Sequence, residues 1–416
     1  MDAFTEPRNE VQAAGCNGLN EPYSGAGISV NSSPKMGSVM RNIMNYFVIF
    51  LVVLVLSPHV LSQSVDDSLP RRGFFGVSLD EDEEGEVYVS SVVQGSTAAV
   101  VGILSGDIIL SIDGKPMQTM ADVLSAIGSH RGGDQFTASI HRSGRLISIE
   151  GTLKEFPLLV MEDALVEYGS VLTSDGIRLR TIVTVPKDVD TKAPAILYLQ
   201  GGGCGTAEVL FGTNPKGISG IVHALAAQGF ITMRVEKSGV GDSQGPPCSS
   251  IGYYEELDGY KKALAALKRY PKVDTDRLYV IGASLGGVFA PIVGSEENLA
   301  GVVVYGTLAG PPPPYPGRSA RFFEEFKNVN VLEAWTKINA PVLVLNGEYD
   351  AVTTESDHAL IAATINKAKP GTAIHKQFEK LDHCMTRHNT IEESKNVCGG
   401  ETTTELLQLV LEFFRK

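Results

Sequence analysis

A serine framed by glycines is the first group in this sequence that could do chemistry. The stretch Val280-Ile281-Gly282-Ala283-Ser284-Leu285-Gly286-Gly287 reads G-x-S-x-G between an apolar run over 278–281 and an apolar, helix-like segment over 288–293. A sharp strand-to-helix turn of this form holds a serine hydroxyl clear of its neighbours, and the glycines leave space that a Cβ would fill. Such a serine becomes a nucleophile when a base takes its proton and an acid orients that base. Downstream, Asn346-Gly347-Glu348-Tyr349-Asp350 places an acid just past an apolar strand, and Lys380-Leu381-Asp382-His383 places a histidine just past the last one. The expected roles are Ser284 as nucleophile, His383 as general base and then acid, and Asp350 as orienting carboxylate. Glu348 and Asp382 compete as acids, and His388 competes as base. His358 and His375 read as surface or packing residues.

Attack on a carbonyl also needs two backbone N–H donors for the oxyanion that forms. Leu285, directly after the serine, supplies one. Gln200-Gly201-Gly202-Gly203-Cys204-Gly205 follows an apolar strand and offers bare backbone for the other, with Gly202 preferred and Gly203 the alternative.

These groups need a scaffold. From about 160 onward an antiparallel hairpin, 171–173 against 177–185 around Ser174-Asp175-Gly176, is followed by alternating elements. Strands are expected over 195–199, 231–235, 278–281, 302–305, 342–345 and 374–378. Helices are expected over 217–228, 253–269 and 404–414, with another capped at Ser356-Asp357 that runs through Ala368. Near-continuous apolar strands alternating with helices predict a mostly parallel sheet covered on both faces.

The region 73–153 has its own pattern. It carries Phe75-Gly76-Val77, the stretch from Gly102-Ile103-Leu104 to Ser111-Ile112, the hairpin turn Asp113-Gly114, a helix over 120–127 and a closing hairpin over 136–151. This pattern resembles a PDZ domain of the bacterial envelope protease type. The resemblance implies that Phe75, Gly76 and Val77 form the loop and edge strand that hold a peptide C-terminal carboxylate, with the peptide added as a strand. The acidic stretch from Asp80 to Glu84 would favour basic ligands or Ca²⁺, or is a solvated loop.

The chain from 160 on resembles the α/β-hydrolase superfamily, near its prolyl-oligopeptidase-like and serine-aminopeptidase-like branches. The resemblance rests on the Ser284 elbow, the Gly201–Gly203 loop, the order Ser, Asp, His, and the stretch from Arg234 to Gly245. In that stretch Glu236-Lys237-Ser238 departs from the common D-x-R, so a structural arginine contact is absent or changed. In such a fold the loops of Cys204 and Cys248 emerge on the active-site side. A Cys204–Cys248 disulfide would then pin the oxyanion loop, and Cys384–Cys398 the loop of His383. A short lid near 307–340, opened by a proline-rich stretch, implies an open site.

Composition narrows the classes. Of 416 residues, 43% are hydrophobic and 20% charged, with a formal net charge of −13, and no basic stripe suited to nucleic acid is present. The five cysteines include no C-x-x-C, and neither a metal nor an organic cofactor is expected. Residues 1–39 read as disordered or as a gene-model extension. Residues 40–63, apolar within 43–61, read as a signal peptide or an uncleaved signal anchor. The expected architecture is therefore an α/β hydrolase domain, 160–416, preceded by a small β-rich PDZ-like domain, 72–155. The expected function is an exported (periplasmic or secreted) serine hydrolase for an acyl ester or peptide substrate, with membrane contact only through an uncleaved N-terminal segment. The alternative is a PDZ-based binding protein carrying an idle hydrolase fold.

Overall fold

The structure, a computed structural model, describes residues 69–82, 85–189, 191–208, 217–395, 398 and 400–415. The expected N-terminal tail and the signal or anchor segment lie outside the described residues. Among the described residues no helix is long and apolar enough to cross a membrane.

Eight strands form the larger sheet. Their spatial order is Ala373–Phe378, Val342–Gly347, Gly301–Tyr305, Val273–Ala283, Ala193–Leu199, Ile231–Val235, Arg178–Pro186 and Ala164–Leu172. The first six run parallel and the last two are antiparallel additions. The opening hairpin is longer than its sequence suggested, because Ala164–Leu172 pairs along its whole length with Arg178–Pro186. Side chains alternate across each strand, and both faces are covered. Val302, Val304, Val342 and Val344 enter one core, while Val303, Tyr305, Leu343 and Leu345 enter the other. That two-sided burial is why these strands read as unbroken apolar runs. Helices Tyr253–Arg269, Leu285–Gly294 and Glu355–Ala368 cover the first face, and Gly217–Ala227 with Glu405–Phe414 covers the second. Glu355–Ala368 begins two to three residues earlier than expected: Thr354 is its cap, in a reciprocal capping box with Asp357. The lid segment carries two short helices, Ala320–Phe326 and Val331–Lys337, whose Phe322, Phe326 and Trp335 are fully buried.

The smaller sheet has the spatial order Val77–Glu81, Val87–Val92, Ile108–Ile112, Gln135–Arg142 and Arg145–Thr152, with Lys115–Pro116 folded back on Ile108–Ile112. Asp113 and Gly114 both take positive φ, the geometry of a tight two-residue hairpin. Val77–Glu81 is an edge strand with the helix Met120–Gly128 beside it.

The two ends of this smaller unit enter the larger one together, and one arginine gathers them. Arg71 donates to the carbonyls of Phe156 and Pro157, both at 2.9 Å, and to the carboxylates of Asp242 at 2.6 Å and Glu208 at 2.5 Å. Arg72 adds a second bond to Glu208, and Arg180 reaches Asp242 and the Leu69 carbonyl. The side chains of Arg71, Glu208 and Asp242 are all buried. Removing one member of a buried ion pair leaves uncompensated charge and typically costs about 3–5 kcal/mol. Arg71→Met is therefore expected to lose about 3 kcal/mol, the lower end, because Arg72 and Arg180 remain. Urea unfolding followed by circular dichroism measures this, and an unchanged midpoint would mean that the cluster contributes nothing.

Candidate active site

Ser284 sits where the strand Val273–Ala283 turns into the helix Leu285–Gly294. Its backbone has φ 53° and ψ −121°, a conformation that costs an L-residue roughly 1–3 kcal/mol and persists only when its surroundings impose it. They do so on two sides. The Ser284 N–H donates to the Tyr305 carbonyl at 2.8 Å. Gly286 lies so close to the carbonyls of Leu199 and Gln200 that a Cβ could not fit there. The Ser284 side chain does not cap the following helix, and Ser284 is the one partly open residue between buried neighbours from Leu278 to Pro291.

Asp350 follows the strand Val342–Gly347, and its carboxylate is almost wholly buried. One oxygen accepts the N–H groups of Val352 at 2.8 Å and Thr353 at 2.9 Å. The other accepts the Thr353 hydroxyl at 2.6 Å and meets His383 Nδ1 at 2.9 Å. Burial pushes the Asp350 pKa up, but His383 and Thr353 outweigh it and hold the carboxyl below its ordinary value. A carboxylate facing Nδ1 places the imidazole proton there and leaves Nε2 as the basic nitrogen. Gly306 abuts the histidine and the acid and follows the residue that anchors the serine. It follows Tyr305, the acceptor for Ser284, and a Cβ on it would lie 3.0 Å from the His383 ring and 3.3 Å from Asp350. The next residue, Thr307, donates its N–H to Nε2 of the buried His358 at 2.9 Å. His358 is thus a packing residue that props this loop, and burial lowers its pKa.

The competing groups have structural partners instead. Asp382 accepts N–H bonds from Cys384, Thr386 and Cys398 and pairs with His388 at 3.0 Å. It organises the loop that presents His383, and the Cys384–Cys398 disulfide closes the same loop. Glu348 accepts the Lys380 N–H at 3.0 Å, at the start of that loop. Cys384 and Cys398 are 14 residues apart, and cross-linking a loop of about that length contributes roughly 3 kcal/mol. The paired Cys384→Ser and Cys398→Ser variant is expected to lose about that much stability. Thermal unfolding with and without reductant tests it: reductant should lower the wild-type melting temperature more than the variant's, in which only Cys204–Cys248 remains to be reduced.

The glycine loop after Ala193–Leu199 runs beside the serine. A Cβ on Gly201 would lie 3.3 Å from Ser284 Cβ and 3.8 Å from its Oγ, whereas Gly202 faces the hydroxyl of the lid residue Tyr315. Cys204 forms a disulfide with Cys248. Leu285, the first residue of its helix, has an N–H with no partner inside that helix, as helix geometry requires. Where the common pattern reads D-x-R, Ser238 stands at the arginine position, and the neighbouring Lys237 is the buried cation here. Its Nζ donates to the carbonyls of Gly201 and Gly203 and pairs with Glu256. Among the described residues no group of three or more His, Cys, Asp or Glu side chains could hold a metal ion.

Residues 73–153 match the PDZ domain family and residues 250–416 match the dienelactone hydrolase family. The chain joins a PDZ domain to an α/β-hydrolase domain. The periplasmic pH-dependent serine endoprotease DegQ of Escherichia coli is 26% identical over 175 residues, 34% of this chain and 38% of that protein. Dipeptidyl-peptidase 5 of Porphyromonas gingivalis is 32% identical over 120 residues, 28% of this chain and 17% of that protein. The chain thus spans well under half of the length of either relative. Among solved structures, Est1E from Butyrivibrio proteoclasticus with ferulic acid bound overlaps 60% of this chain and all of its own, at 17% identity and a TM-score of 0.47. In the PDZ domain, Phe75 is buried against Phe136 in the core, so only backbone remains to meet a ligand at that position. Gly76 takes φ +78° against Ser96, where a Cβ would not fit. Val77 opens the edge strand.

Proposed function

We propose that the chain is an exported serine hydrolase acting on an acyl ester or peptide through an acyl-enzyme on Ser284. The observation that carries this reading is the Asp350–His383 contact packed beside Gly306, next to the strand end whose carbonyl anchors the strained Ser284 turn. His383 Nε2 takes the Ser284 proton as Oγ attacks the substrate carbonyl carbon. The N–H groups of Leu285 and Gly202 receive the oxyanion. His383 then returns the proton to the leaving alcohol or amine, and water repeats the sequence in reverse roles to release the acid. Asp350 stays ionised throughout, because its hydrogen bonds stabilise the charged form.

The PDZ domain would bind a peptide C-terminus along Val77–Glu81, with the carboxylate held by backbone N–H groups around Phe75, Gly76 and Val77. Two disulfides support export, because such bonds persist in oxidising compartments. The relative DegQ is described as periplasmic. A fluorophosphonate probe tests the hydrolase reading: it should label the wild type and leave Ser284→Ala unlabelled. Absence of wild-type labelling, alongside a control hydrolase that labels, would favour a PDZ-based binding protein with an idle second domain.

A further inference from the structure

We infer that Lys237 is the positioning residue that aims the second oxyanion donor, by gripping the glycine loop from the side away from Ser284. This rests on the reading of Ser284 as nucleophile.

Lys237 lies just past the strand Ile231–Val235 and its side chain is 1% exposed. Nζ donates to Gly201 O at 2.5 Å and Gly203 O at 2.8 Å, and meets Glu256 Oε1 at 3.1 Å. An ammonium has three N–H donors, so all are used. In a trans peptide the C=O of one residue points opposite to the N–H of the next. Holding Gly201 O therefore turns the Gly202 N–H to the opposite side of the loop, and holding Gly203 O does the same for Cys204. Gly201 is also the loop residue that abuts Ser284. Glycines have no side chains with which to fix their own peptide planes, so the plane orientation here depends on what grips the carbonyls. A cation at the carbonyl end also polarises the amide and strengthens its N–H as a donor.

The charge environment sets a pH range. Burial lowers the Lys237 pKa to about 8, opposed by Glu256, while the nearby Arg318 lowers it further and Glu236 raises it. Glu256 is shared, because Arg318 and the Tyr260 hydroxyl also donate to it. Glu236 is occupied by Thr206 and Ala207. Asp175 and Glu255 line the cavity that adjoins Lys237 on its other side. A neutral amine keeps two N–H groups and cannot serve three acceptors. Activity should therefore fall as pH rises past about 8. The stability contribution of the same group runs the other way. Its folded pKa lies below its ordinary value, so above about pH 8 the unfolded chain binds more protons and this term favours folding as pH rises. A purely structural lysine would not separate the two signs.

The experiment uses the full chain and a p-nitrophenyl ester, with kcat and KM measured from pH 6 to 10 beside thermal melting. Wild-type kcat should decline above about pH 8 while the protein stays folded. Lys237→Met should lower kcat about 100-fold at pH 7, the scale of losing one oxyanion donor, with KM nearly unchanged and no alkaline decline. Lys237→Arg, which does not titrate in this range, should move the decline beyond pH 10. Persistence of the decline near pH 8 in Lys237→Arg overturns the proposal, and so does wild-type kcat in Lys237→Met. If Lys237→Met fails to fold, the Lys237→Arg profile decides alone. If the wild type does not react with a fluorophosphonate, the Ser284 reading fails and takes this proposal with it. Normal labelling combined with an unaltered Lys237→Arg profile removes only the role of Lys237.

Discussion

Replacing Ser284 with alanine is expected to lower kcat/KM on a p-nitrophenyl ester by about 10⁶-fold and to abolish fluorophosphonate labelling. The size follows from what remains. The glycine loop and the Leu285 N–H can still polarise a bound carbonyl, and that alone supports roughly 10³-fold catalysis over water. Without Oγ, however, no acyl-enzyme forms, and His383 has no proton to move. The fold should tolerate the change. Ser284 holds its place through its backbone N–H to Tyr305, and alanine keeps that bond. An unchanged melting temperature with lost turnover would locate the effect in chemistry. An alanine variant that still turned over substrate at an appreciable fraction of wild type would mean that another group attacks.

Asp350→Asn is expected to lower kcat by about 10⁴-fold near neutral pH. Here the structure dictates which way the amide points. One Asp350 oxygen accepts two backbone N–H groups, from Val352 and Thr353, and the asparagine oxygen must keep that place. The amide nitrogen then faces His383 Nδ1, where it can only donate. Nδ1 must become an acceptor, the imidazole proton moves to Nε2, and the base is lost although every atom stays in position. The check is a paired measurement of kcat and of the fluorophosphonate labelling rate. Both should fall together while thermal unfolding stays close to wild type. A loss of less than tenfold would mean that Asp350 is not the group that sets the tautomer.

The Ser284 turn was legible because its causes are local. Glycine at 286 is required by carbonyls that any strand-to-helix turn of this kind brings close, and the apolar flanks mark the strand and the helix. The positions of Asp350 and His383 could be read from strand ends, and the structure brings these two side chains into contact. The cysteine pairs follow the loops that carry them. What could not be read was the role of groups whose partners are distant in sequence. Nothing near Arg71 signals Glu208 or Asp242, and nothing near Lys237 signals two glycine carbonyls more than 30 residues upstream. The replacement of the usual arginine pattern at 236–238 hinted at a changed contact without saying which one. The helix cap was misplaced for a smaller reason. Thr354, Ser356 and Asp357 are all capping types, and only the reciprocal bond between Thr354 and Asp357 singles out the first.

The Arg71 cluster also dictates an order of assembly. Its acidic partners lie 137 and 171 residues downstream. The PDZ domain has its own core and leaves the ribosome first, so it can fold while both of those loops are still unmade. The arginine can find Glu208 and Asp242 only after the glycine loop and the 239–245 turn have taken shape. Docking therefore waits on both loops, and the closed cluster is a record that they have formed. A protease that cuts at Glu155–Phe156 in a nascent or damaged chain, and not in the mature one where both backbone groups of Phe156 are held, would be reading that record.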